Sequence, residues 1–171
     1  MNIQIKNIKT YNALSEETTC FTADVFVNGK KIAYAKNDGH GGSTYYNHYN
    51  REDRPTLEAA EEFAKTLPST TYNGSFGELV IESTLETIID DAIDAFEKNK
   101  DKKKMEKEME ASILIGKPNG FSYRVFGFKG KIKLKSVSPE SLQKLIDYAK
   151  SNMREGEVIL NTNLKDLQVT L

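Results

Sequence analysis

The chain has no tryptophan and only one cysteine, Cys20, among its 171 residues. A lone cysteine forms neither an intrachain disulfide nor a thiolate zinc cluster, which excludes the disulfide-stapled scaffolds and points to a reducing compartment. Histidine is nearly as scarce, with His40 and His48 the only two. No stretch approaches the roughly 18 apolar residues of a membrane span, and the opening MNIQIKNIKT has no apolar core behind a basic start. The expectation is a cytoplasmic protein with no membrane partner. Excess charge of one sign is also missing: 24 Lys and Arg against 25 Asp and Glu leave a formal net charge of −1. A global electrostatic case for nucleic-acid binding, which rests on many basic contacts acting together, is therefore absent, and only local basic patches remain.

What is present reads as one α+β domain over residues 1–171, long enough to bury a core without covalent staples. Ile3, Ile5 and Ile8 suggest a strand. In CFTADVFVNGKKIAYAKN, Phe21, Ala23, Val25 and Val27 alternate on one face, Asn28-Gly29 supplies the φ > 0 pair of a tight hairpin turn, and Lys30–Lys36 returns. RPTLEAAEEFAKTLP reads as a helix with Pro55 in its first turn and Pro68 as its stop. STTYNGSFG is turn-rich and reads as a connector. From about Glu78 a long helix is expected, covering most of residues 80–105, with Leu85, Ile88, Ile89, Ala92, Ile93 and Phe96 as its apolar stripe. Its acids precede its lysines, an order that complements the helix macrodipole. The last third returns to strands in SILIG, a Pro118-Asn119-Gly120 turn, FSYRVFGF and KGKIKLKSV. A helix capped by Ser138 follows, with Pro139 at its first position, and EVILNTNL closes the chain as a short strand. The expected fold is thus antiparallel sheet elements at both ends, a long central amphipathic helix and two shorter helices, with residues 1–72 and 111–171 able to form separate sheet layers.

The chemistry concentrates in KNDGHGGSTYYNHYN, residues 36–50, which holds both histidines and three of the eight tyrosines. As a metal or hydrolytic site it offers Asp38, His40 and His48, residue types that bind transition metals and activate water. Their spacing fits no established metal motif, and the turn tendency of Asn37-Asp38-Gly39 accounts for the same residues. As an anion cradle it offers the backbone amides of Gly39, Gly41 and Gly42 beside Ser43 and Thr44, without a nucleotide fingerprint. As a recognition loop it offers Tyr45, Tyr46 and Tyr49, rigid amphipathic rings, among Asn37, Asp38, His40, Ser43 and His48, which supply adaptable hydrogen bonds. Elsewhere, Lys129, Lys131, Lys133 and Lys135 on one strand face, near Arg124 and several aromatic rings, form a candidate phosphate track; lysines there also protect a sheet from pairing with another chain. KNKDKKKMEKEME reads as a solvated helix surface, and Cys20 has no local histidine to activate it.

The stretch FTADVFVNGKKIAYAKNDGHGG, residues 21–42, resembles small uncharacterised proteins of bacterial phages and plasmids. The resemblance implies a mobile-element setting, in which small proteins of near-neutral charge block host defence components; it brings no catalytic residue. The expected function is a non-enzymatic binding protein with no cofactor and a protein partner, recognised through residues 37–49, and in its most specific form an inhibitor of a bacterial defence nuclease. Two alternatives stand beside it. One is a metal-dependent phosphoesterase or nuclease using Asp38, His40 and His48. The other is a nucleic-acid or phosphate-binding module using the glycine loop and Lys131, Lys133 and Lys135.

Overall fold

The computed structural model describes residues 1–74, 77–118, 120, 122–165, 167 and 169. It is an α+β protein, and its chain divides into two compact units, Met1–Lys98 and Asn99–Leu171.

The first unit is built on a four-stranded antiparallel sheet in the order β1 (Ile3–Thr10), β2 (Phe21–Val27), β3 (Lys30–Asn37), β4 (Tyr45–His48). The hairpin between β2 and β3 forms because Asn28 and Gly29 both take positive φ, 50° and 84°, which matches the right-handed twist of the strands they join. Period-two alternation then turns Phe21, Ala23, Val25 and Val27 to one face. Against that inner face pack Leu57, Ala60 and Ala64 of α1 (Arg54–Lys65), and Leu85, Ile89 and Ile93 from the first part of α2 (Leu85–Met109). The outer face carries Thr22, Asp24 and Phe26. A bulge between Lys6 and Lys9, with Asn7 at φ 53°, bends the edge strand β1. Strand β4 corrects the reading of residues 37–49 as one loop: Tyr45–His48 pair with Ala33–Lys36, so part of the stretch is sheet.

A second correction concerns residues 69–84. The stretch read as a connector and as the start of the long helix is a hairpin of β5 (Thr70–Gly74) and β6 (Gly77–Ile81). β-Branched residues on both strands outweigh the turn formers between them. Ser75 and Phe76 lie outside the described residues. The helix starts only at Leu85 because Thr84 and Thr87 cap it reciprocally: the Thr87 amide donates to Thr84 Oγ1 at 3.1 Å, and the Thr84 amide to Thr87 Oγ1 at 2.9 Å.

In the second unit β7 (Ser112–Gly116) lies between β8 (Tyr123–Gly127) and β9 (Val158–Ile159). Helix α3 (Pro139–Ser151) begins as its sequence requires, the Ser141 amide donating to the Ser138 side chain. Ile113, Ile115, Leu134, Leu142, Ile146, Ala149 and Leu164 form its core. The closing strand is shorter than EVILNTNL because Asn161 takes over the pairing: its buried carboxamide accepts from the Leu114 amide at 2.7 Å and donates to the Ser112 carbonyl at 2.9 Å. The expected Pro118-Asn119-Gly120 turn includes Asn119, which lies outside the described residues, as does Phe121. The expected strand over Lys129–Lys135 is not formed. Gly130 and Lys131 turn the chain at φ 89° and 53°, and Leu134–Ser136 make a 3-10 turn that buries Leu134. Lys131, Lys133 and Lys135 consequently form no ladder, and Lys133 pairs with Glu110 at 2.7 Å. Among the described residues no helix is long and apolar enough to cross a membrane.

Candidate functional site

Residues 37–44 and 45–49 have different surroundings. In the first group Asn37 is buried, and its carboxamide organises the turn: the oxygen accepts from Thr18 Oγ1 at 2.8 Å and from the Gly39 amide at 2.9 Å, while the nitrogen donates to the Gly42 carbonyl at 2.8 Å. The amides of Glu16, Glu17 and Thr18 all donate to the single carbonyl of Gly39. The Gly41 amide donates to Thr18 Oγ1 at 3.2 Å. The glycines thus serve an internal clasp. Gly39 has φ 91°, and a Cβ there would stand 2.2 Å from the Leu14 carbonyl oxygen. The candidate anion-binding amides of Gly39 and Gly41 are already engaged, and the Glu17 carboxylate lies against Gly41.

The end of the clasp docks on α2. The Thr44 amide donates to Glu86 Oε1 at 2.9 Å and the Thr44 hydroxyl to Asp90 Oδ1 at 2.6 Å. A recess of about 310 Å³ opens here, bordered by Ser43 and Thr44 and by the carboxylates of Glu17, Glu86, Asp90 and Asp94. Burial pushes the Asp90 carboxyl up from its ordinary value, with the charges of Glu86, Asp94 and Asp91 adding to the effect against the Thr44 hydrogen bond.

The candidate metal residues are not brought together. Asp38 is exposed and stands 3.4 Å from Lys36 Nζ, while His40 is exposed with its Nδ1 3.0 Å from Glu16 Oε2. His48 sits in β4 opposite Ala33, its Nδ1 enclosed without a hydrogen-bond partner among the described residues. No group of three or more His, Cys, Asp or Glu side chains among the described residues is arranged to hold a metal ion.

Period-two alternation separates the tyrosines. Tyr46 turns inward onto the core, and burial, with the Glu61 carboxylate beside it, pushes its phenol up to about 12. Tyr45 and Tyr49 turn outward to either side of Tyr34, with ring centroids 6.0 and 5.7 Å from it. The Tyr49 hydroxyl donates to Asp24, whose carboxylate also accepts from Asn7 at 2.6 Å and pairs with Lys31 at 2.9 Å. Burial pushes the Asp24 carboxyl up, but its hydrogen bonds from Lys31, Tyr49 and Asn7 outweigh this and hold it below its ordinary value. Lys31 also lies over the Tyr49 ring at 4.5 Å, and Lys6 over the Phe26 ring at 4.8 Å. A groove of about 300 Å³ runs across this face between Asn7, Lys9, Thr22, Tyr34, Lys36 and Tyr49.

Sequence reasoning found Tyr45 and Tyr49, with Tyr34 as a candidate neighbour on the sheet, and the rings meet there; it missed their companions Asn7, Asp24, Lys31 and Lys36. The signal was available in the other half of the alternation: Thr22 and Asp24 in β2, and Tyr34 and Lys36 in β3, occupy the positions between the buried residues. Compared with protein-family models, curated proteins and solved structures, the chain matches none.

Proposed function

We propose that the chain is a non-enzymatic binding protein that recognises a macromolecular partner through the open face of its N-terminal sheet, with Tyr45 and Tyr49 as anchors. One observation carries this reading: Tyr45 and Tyr49 flank Tyr34 on one solvent-facing surface, each in ring contact with it, and keep 49% and 43% of their area exposed. Tyrosine offers large contact area at low conformational cost, and clustered rings on a rigid sheet are pre-organised for it. In the mobile-element setting implied by the resemblance, the most specific form of this function is inhibition of a bacterial defence nuclease, by engaging either the enzyme or its nucleic acid.

The test is affinity capture from bacterial lysate with the wild-type chain, a Tyr45→Ala/Lys36→Glu variant and a Lys131→Glu/Lys133→Glu/Lys135→Glu variant. The expected result is one specific partner retained by the wild type and the triple lysine variant, and lost by the first variant. Loss only in the triple variant would move the binding surface to the second unit and overturn the proposal.

A further inference from the structure

We propose that the open sheet face binds single-stranded nucleic acid, its tyrosines contacting bases and its lysines contacting phosphates. The inference rests on the preceding reading of that face and names the chemistry of its partner.

Charge decides the class. The outward positions of β1, β2 and β3 place Lys6, Lys9, Lys31 and Lys36 around the tyrosines, with Asp24 as the only acid among the strand residues facing the same way. Asp24 is buried and held by Asn7, Tyr49 and Lys31, so its charge is neutralised where it sits. Lys31 offsets Asp24 and Lys36 stands 3.4 Å from Asp38, so on a chain of net charge −1 the local excess of positive charge on this face comes from Lys6 and Lys9. The carboxylates of Glu17, Glu86, Asp90 and Asp94 gather instead at the acidic recess. A polyanion meets attraction here despite the balanced composition.

The aromatic part selects among polyanions. Bases in a single strand expose their π-faces to aromatic side chains, and stacking tolerates any sequence, whereas a duplex hides those faces and is entered by elements that protrude into a groove. This surface is a sheet with rings on it. Lys9 and Lys36 border the groove beside Tyr34 and Tyr49, so phosphate and base contacts are available within one ligand's reach. Asn7, Thr22 and Asn47 add hydrogen-bonding groups at its margins for base edges or sugar.

The experiment is fluorescence anisotropy with the full chain and labelled single-stranded DNA and RNA oligonucleotides of about 15 nucleotides, a span that covers one such site. The same sequence as a duplex and a labelled polyglutamate peptide serve as comparisons. Single strands are expected to bind at micromolar concentration in low salt, more tightly than either comparison, with a log–log salt slope of roughly −0.7 for each phosphate neutralised. Tyr45→Ala should weaken binding about tenfold, Tyr45→Phe should retain it, and Lys6→Gln/Lys9→Gln should make the salt slope shallower. Circular dichroism should be unchanged in all three variants. Absence of single-strand binding at about 100 μM protein in low salt, where even non-specific binding is normally seen, would overturn the inference. So would equal affinity for duplex or polyglutamate, or indifference to Tyr45→Ala. If single strands fail while Tyr45→Ala/Lys36→Glu still abolishes capture of a partner from lysate, the binding face stands and only its nucleic-acid assignment falls. If both fail, the face itself is wrongly assigned.

Discussion

The two halves of residues 37–49 use similar residue types for opposite purposes. Asn37, Gly39, Gly41 and Thr44 direct their polar groups inward, to Thr18, Gly42, Glu86 and Asp90, and border an acidic recess. Tyr45 and Tyr49 instead turn their rings to the outer sheet face, which carries lysines, with the Tyr49 hydroxyl on Asp24. The difference comes from the backbone: the first half closes a turn whose amides must be satisfied locally, and the second belongs to or adjoins an edge strand whose amides are paired by β3. A polar, glycine-rich stretch is therefore not one functional unit. Its glycines and asparagine hold the turn, and the Tyr45 and Tyr49 rings lie on the open sheet face.

The sharpest way to break this comparison is through the glycines. Gly39→Ala puts a Cβ 2.2 Å from the Leu14 backbone oxygen at φ 91°, where neither the neighbour nor the dihedral can yield easily. A loss of about 3 kcal/mol is expected from strain and overpacking together. Gly41→Ala meets the end of the flexible Glu17 side chain at φ 87°, so strain dominates and about 1 kcal/mol is expected. Gly42→Ala meets nothing within 4 Å and should lie within about 0.5 kcal/mol of wild type. Urea denaturation of the three variants measures the order. Equal effects at all three positions would mean that the clasp does not organise this turn.

A further contrast sets Asn37 against Tyr45. Asn37→Ala removes three hydrogen bonds from a buried side chain and leaves the Gly39 amide, the Gly42 carbonyl and the Thr18 hydroxyl to find other partners. About 2 kcal/mol of stability should be lost. Tyr45→Ala, at a half-exposed ring, should cost under about 1 kcal/mol while weakening the binding proposed above. Thermal melts beside binding isotherms separate the two. Stability loss at Tyr45 as large as at Asn37 would place it in the framework rather than on the recognition surface.

How legible these roles were depends on which signals are local. The β2–β3 hairpin could be read directly, since alternation and the Asn28-Gly29 turn lie within 17 consecutive residues and agree. Lys129–Lys135 showed an equally regular alternation and misled, because a strand also needs a partner, and Leu134 instead donates its amide to the Glu110 carbonyl as it enters the core. Strand β4 was hidden because it is four residues long and Asn47 and His48 cut short the strand tendency of Tyr45 and Tyr46, so that pairing with the edge of β3 decides it. The open sheet face was half visible for a related reason: inward residues are apolar and stand out, while Asp24 and Lys36 acquire meaning only when the neighbouring strands bring Asn7, Lys31 and Tyr49 beside them.

The smallest expected effect is also the most diagnostic, because it has opposite signs at the two ends of this contrast. Asp24 on the open face is held below its ordinary value, so it stabilises the fold above pH 3.8, and that contribution is lost as pH falls through its folded value. Asp90 at the recess is held above its ordinary value, so the folded state binds its proton more tightly than the unfolded chain does. Its contribution is favourable at low pH and declines as pH rises above 3.8 through the folded value. Asp24→Asn should therefore lower stability at pH 7. Asp90→Asn should raise it, by at most about a few tenths of a kcal/mol given solvent screening of a partly exposed group, since an asparagine oxygen still accepts from Thr44. The Asp90 difference should shrink towards zero near pH 3, and the Asp24 difference only further down, as pH falls through its lowered folded value. Melting curves of the two variants and the wild type across this range provide the measurement, and a destabilising Asp90→Asn at pH 7 would show that the recess needs its charge.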